Sequence, residues 1–129
     1  MNRTIFITGV LMGVLAVALG AFGAHGLEKL VAADAIQTFE TGVKYQMYHA
    51  LFLLLLGSTG LLSERNKKLP YYLILTGVVL FSFSIYLLAT NSLTQFDFKT
   101  IGMITPIGGL LLILGWLVAG YRVWKSAKR

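Results

Sequence analysis

The sequence predicts an all-α integral membrane protein, a four-helix transmembrane bundle with an amphipathic interfacial helix between the first two spans. Three observations predict it. Hydrophobic residues make up 57% of the 129 positions and charged residues 12%, with a mean hydropathy of +0.77, whereas a water-soluble bundle needs charged outer faces on its helices. Apolar runs long enough to cross about 30 Å of hydrocarbon fall near 4–25, 45–63, 71–90 and 100–121. Lysine and arginine are unevenly shared between the two sides that such a threading creates. Residues 1–129 are expected to form one domain.

The first span, Ile5–Ala24, carries no charge. It is too long for the apolar region of a signal peptide, which runs about 7–15 residues. Gly9, Gly13, Ala16, Gly20 and Gly23 share one stripe at 100° per residue. Small residues let membrane helices approach closely, so the stripe reads as a packing seam. The run closes in "GAFGAHGL", Gly20–Leu27. This ending fits a helix stop with Gly26 in the left-handed region, Leu27 folded back on Phe22, and His25 at the cap. A capping role for His25 competes with ligation or proton transfer.

Residues 27–47 are more than a plain connection. "DAIQ" at Asp34–Gln37 has the form of a capping box, with Asp34 as N-cap and Gln37 reaching back. Ile36, Phe39 and Val43 recur at helical spacing, and Glu40–Lys44 is an i,i+4 pair of the favourable polarity. They predict a helix lying at the membrane surface that runs into the second span, bent at Gly42.

Within the spans, Thr38, Gly42, Tyr45, Gln46 and His49 fall on one stripe, and Ser82 and Tyr86 are i,i+4 neighbours. Thr105 stands beside Pro106, whose missing N–H leaves the Gly102 carbonyl free in a helix that starts near 100. Threading brings His49, Ser82, Tyr86 and Thr105 to one depth, within about two turns of the outer face. His25, Glu40 and Asp97 lie near the mouth of this cluster. His49 is expected to point inward as a neutral imidazole and to bond another span, because hydrocarbon disfavours charge. A polar network that fixes helix register competes here with a ligand, ion or proton site.

Orientation follows from the basic residues. Arg3, Arg65, Lys67, Lys68, Arg122, Lys125, Lys128 and Arg129 put eight on the side of both termini, against Lys29, Lys44 and Lys99 on the other. Both termini are therefore expected in the cytoplasm. Tyr71, Tyr72, Tyr121 and Trp124 suit an inner aromatic belt; Tyr45, Tyr48, Phe96 and Phe98 suit an outer one.

Several functions are excluded. Cysteine is absent, which removes disulfides, thiolate metal sites and cysteine nucleophiles. The two histidines lack metal-ligand spacing, so no metal and no cofactor are expected. No G-x-S-x-G motif or phosphate-cradling loop occurs. The net charge of +6 has no soluble face on which to meet nucleic acid.

Four segments carry a resemblance: "LGAFGAHGL" at 19–27, "YQMYHALFLLL" at 45–55, "FSFSIYLL" at 81–88 and "ITPIGGLLLILGW" at 104–116. In this order they resemble domain-of-unknown-function family 423, also called uncharacterised protein family 0382, which includes transmembrane protein 256. The resemblance implies a four-span protein of bacterial plasma membranes and related compartments. It supplies no activity and no catalytic residues. The family's third span more often reads F-S-G-S, where this chain has Phe83. A bulky residue there weakens any reading of a close glycine contact on that span.

The expected function is non-enzymatic: a plasma-membrane component that binds lipid, an apolar small molecule, a second copy of itself or another membrane protein. Transport of a small solute or proton past His49, Gln46, Tyr86 and Glu40 is the main rival, and a membrane enzyme the third.

Overall fold

The computed structural model describes residues 2–93 and 102–127. Phe96, Asp97, Phe98, Lys99, Lys128 and Arg129 lie outside the described residues, so the parts expected of them are not placed. Among the described residues the chain is all-helical, without a strand. Helix α1 covers Arg3–His25 and α2 covers Ala33–Ser58. A third rod is built from α3 (Glu64–Val78), a five-residue π-helical turn (Val79–Phe83) and α4 (Ser84–Ala89). Helix α5 covers Ile104–Ala127. Segments Arg3–Lys29, Glu64–Ala89 and Ile104–Ser126 are each long and apolar enough to cross a membrane.

Helix α1 starts on Asn2, whose side chain accepts the Ile5 N–H at 3.1 Å. The Asn2 N–H reaches the Gly57 carbonyl at 2.7 Å, which ties the start of α1 to the end of α2. Between these ends the small stripe of α1 lies on α2. A Cβ on Gly9 would sit 2.8 Å from the Ala50 carbonyl oxygen, and one on Gly23 3.0 Å from the Phe39 ring. Ala16 is buried between them. Contact is looser at Gly20, 3.4 Å from Val43, and at Gly13, 3.8 Å from Ala50. The seam is tightest toward its two ends.

Several local expectations change. Gly26 is right-handed, at φ −103° and ψ −54°, and its N–H bonds the Phe22 carbonyl while the chain continues into a 3-10 turn at Leu27–Lys29. The backbone there is open to any residue, and a Cβ would meet the exposed Phe22 ring at 3.1 Å. Leu27 buries against Phe39 and Ala89. The cap of α2 lies two residues before the expected one: Ala32 is the N-cap, and the Asp34 side chain accepts the N–H of its neighbour Ala35. From there α2 runs unbroken through Gly42, so the surface helix and the second apolar run are one rod.

Residues 64–70, which separate the second and third predicted spans, form the first turns of α3, capped by Ser63 and with Pro70 included. Lys67 is thereby drawn fully inside, at 0% exposure. At the other end, α5 starts at Ile104, not near 100. Pro106 thus falls in the first turn, where a missing N–H costs nothing, and Gly102 lies in the turn before it.

Helix α1 packs along α2, and α3 with the π turn packs along α5. The third rod stands between α2 and α5, which scarcely approach each other. One apolar core gathers Ile5, Leu53, Leu56, Tyr71, Ile74, Val78 and Leu112. A second joins Leu27, Phe39 and Ala89 at the opposite end. Tyr71 belongs to the first core and shares a 3.0 Å hydrogen bond with Thr8, so it is no belt residue, whereas Tyr72, Tyr121 and Trp124 are exposed.

Candidate functional site

Helix α2 sits centrally, with α1 on one side and the third rod on another, so polar residues on its inner stripe are drawn into the bundle. Gln46 is 1% exposed. Its Nε2 donates to the Met12 carbonyl of α1 at 2.9 Å, and its Oε1 accepts from the Tyr86 hydroxyl of α4 at 2.6 Å. One amide therefore ties three helices. One turn away, the Ser82 hydroxyl donates to the Gly42 carbonyl at 2.9 Å, so the π turn is also bound to α2. Its neighbour Ser84 donates to the Phe81 carbonyl at 2.9 Å and shares a 2.6 Å bond with Thr105 of α5.

His49 lies on the same helix but belongs to a separate pair. Nδ1 is 2.6 Å from the Tyr45 carbonyl oxygen, and the Trp116 indole donates to Nε2 at 3.0 Å. A carbonyl only accepts and an indole N–H only donates. The two partners therefore specify one neutral tautomer, protonated on Nδ1. Both ring nitrogens are occupied, which leaves neither for a metal or a ligand.

Trp116 also meets Phe52 at a ring distance of 4.5 Å. This contact crosses the gap between α2 and α5 and divides an open-sided groove into two chambers of ≈ 790 Å³ each. One chamber is lined by Tyr45, Tyr48, His49, Phe81, Pro106 and Gly109, among others. The other lies toward the chain termini, with Leu55, Leu62, Ala119, Gly120 and Trp124 in its walls. Both are apolar; Trp116 lines both.

The expected cluster is thus resolved into parts. Gln46 joins Tyr86, Ser82 joins the α2 backbone, Thr105 joins Ser84, and His49 joins Trp116. Tyr45 contributes its carbonyl and packs its ring on Phe81 at 5.0 Å. His25 and Glu40 are exposed and stand apart from these bonds. Sequence reasoning missed Trp116 and Ser84 as partners. Helical phase places a residue on a face of its own helix but does not say which neighbour it meets. Every buried side-chain nitrogen and oxygen among the described residues has a partner. Such networks hold helices in register, with each interhelical bond contributing on the order of 0.6 kcal/mol.

This fold and site define a class: an all-helical membrane protein with a closed polar tie across its helices and an apolar groove open at its side. The chain belongs to the family described as "Protein of unknown function (DUF423)", which it matches over residues 19–109. It is 44% identical to the UPF0382 membrane protein SSP2132 of Staphylococcus saprophyticus, covering 90% of this chain and 92% of that one. It is 40% identical to the UPF0382 membrane protein YwdK of Bacillus subtilis, again over 90% and 92%. A UPF0382 membrane protein of Haemophilus influenzae is 39% identical over 90% of each chain. No solved structure matches.

Proposed function

We propose that the protein is a non-enzymatic, four-pass component of the plasma membrane that holds a lipid hydrocarbon chain in the groove between α2 and α5. The groove itself carries the reading. Each chamber has the volume of a small-molecule site, ≈ 790 Å³ against a usual range of about 300–1,000 Å³. A partner's helix is about 10 Å across and rigid, so it could not lie along a groove interrupted by Phe52–Trp116. A slender, flexible hydrocarbon chain fills either chamber.

Conduction through a single chain is disfavoured by the same packing. Below Gln46 and Tyr86, the packed apolar side chains of Leu53, Leu56, Ile74 and Val78 separate them from the Thr8–Tyr71 pair, which interrupts any polar track for a proton or solute.

Native mass spectrometry of the full chain from mild detergent tests the groove. Gly120 lines one chamber with nothing within 4 Å of an added Cβ, and Gly109 lines the other with the Phe81 ring no nearer than 3.6 Å. Gly120→Phe and Gly109→Leu should therefore fill the chambers without moving the backbone. The expected result is lipid retained by the wild type and lost from the double variant, with thermal stability unchanged. Equal retention by both, or none by the wild type, refutes the assignment.

The fourth pass is α2. Its 26 residues give roughly 39 Å at 1.5 Å per residue, enough to cross beside α1. The orientation rests on Arg3, Arg65, Lys68, Arg122 and Lys125 at the end where α1 begins and α5 finishes. A reporter active only in the cytoplasm should work at the C-terminus and fail between α4 and α5. The reverse pattern would invert the topology.

A further inference from the structure

Proline inside a helix leaves the carbonyl four residues earlier without its donor. In α3 the proline is Pro70, and that carbonyl belongs to Asn66. Arg122 of α5 supplies the missing donor, with Nη1 2.9 Å from the Asn66 oxygen. A guanidinium has five N–H donors, and this bond uses one of them. It holds a long, otherwise mobile side chain in place.

Arg122 lines a cleft of ≈ 370 Å³ with Asn66, Tyr121, Lys125 and Ser126, between the start of α3 and the last turns of α5. Two cations, two hydroxyls and an amide face this space, and among the described residues no carboxylate lines it. Its depth is marked by Tyr72, Tyr121 and Trp124, exposed aromatics of the kind that settle at headgroup level. Arg65 and Lys68, on the first turns of α3, add positive charge at the same end.

We propose that this cleft binds a phosphate group, carried by an anionic phospholipid or by a soluble phosphate. The planar fork of arginine matches phosphate oxygens in pairs, and Lys125 adds a point charge beside it. The Asn66 bond removes much of the ordering cost of Arg122 before the ligand arrives. Pro70 is then a positioning residue: by withholding its own N–H, it aims the guanidinium. The site lies on the α3-facing side of α5 and is independent of the lateral groove.

The full chain is placed in vesicles of phosphatidylcholine, with or without phosphatidylglycerol, extracted mildly, and its retained lipid weighed by native mass spectrometry. Wild type should retain phosphatidylglycerol over phosphatidylcholine, and Lys125→Gln should cut that preference by roughly tenfold, the worth of one charge-assisted contact. Lys125 is exposed, so this variant should fold with an unchanged melting temperature. Pro70→Ala restores the helical donor to Asn66 and frees Arg122. It should weaken the preference although every cation remains, a change that simple surface attraction does not predict.

Inorganic phosphate, titrated into protein in uncharged detergent, reads the soluble source. Binding that depends on Lys125 assigns the cleft to free phosphate; lipid preference without phosphate binding assigns it to the headgroup. Lipid preference and phosphate binding that are both absent, or both indifferent to Lys125→Gln, overturn the proposal. A lipid preference lost in Lys125→Gln but untouched by Pro70→Ala overturns the positioning role.

Discussion

Gly108→Ala should unfold or loosen the protein more than any other single methyl added to the chain. A Cβ at Gly108 would lie 2.8 Å from the Leu80 carbonyl carbon and 2.9 Å from the Phe81 Cα, with the Phe81 nitrogen closer still. These are backbone atoms of the π turn, so no rotamer change relieves the clash and the helices must separate. The expected loss is about 3 kcal/mol or more, at the top of the range for overpacking. Gly120→Ala is the matched control on the same helix: its Cβ meets nothing within 4 Å, and loss of glycine's backbone freedom favours it by about 0.5–1 kcal/mol. Thermal unfolding in mild detergent compares the two. Similar melting temperatures would mean that α5 does not seat on the π turn.

Lys67→Ala should be the most damaging change among the basic residues, and chiefly because of carbon. The residue is 0% exposed, with Nζ 3.3 Å from the Gly57 carbonyl oxygen and 3.2 Å from Glu64 Oε1. Neither partner is stranded by its loss. Gly57 keeps the Asn2 N–H at 2.7 Å, and the Glu64 side chain is 54% exposed to water. Emptying the space of a long buried side chain costs about 2–5 kcal/mol. Lys67→Met restores the volume and should return to within about 1.5 kcal/mol of wild type. If methionine is as damaging as alanine in the same melting assay, the ammonium rather than its stem holds the helix ends together.

The long apolar runs were legible because hydropathy over twenty residues overwhelms local detail. The first helix is placed to within a residue, at Arg3–His25 against an expected 4–25. Errors gather where polar sequence is nonetheless helical. Residues 64–70 fall between two predicted spans because they are charged, yet Ser63 and Glu64 at their start form an ordinary helix N-terminus. The buried fate of Lys67 follows from that missed turn. The stop at Gly26 was misassigned because glycine after a helix signals a left-handed cap, while here its backbone is right-handed.

Within the site, the period of α2 places Gln46 and His49 on the bundle side, while Thr38 and Tyr45 of the same stripe are exposed. The partners were not legible. Trp116 meets His49 across 67 residues of sequence, and nothing in helical phase encodes that meeting. Phe83 shows the reverse: it departs from a glycine pattern, and in the structure it is partly exposed and packs on Tyr86 at 5.8 Å. Close approach to the third rod is made instead by Gly108 of α5 and Gly42 of α2.

Gln46 links the finished architecture to the order in which it is made. The ribosome delivers α1 and α2 first, and their glycine seam needs nothing from the rest of the chain. Within that newborn pair, Gln46 already has the Met12 carbonyl for its Nε2, but its Oε1 has no partner until Tyr86 emerges some forty residues later. A lone acceptor facing hydrocarbon is costly enough to attract any donor at hand. The early hairpin is therefore both self-sufficient in shape and incomplete in chemistry. The third rod completes it at two neighbouring points, Tyr86 on the waiting amide oxygen and Ser82 on the Gly42 carbonyl one turn away.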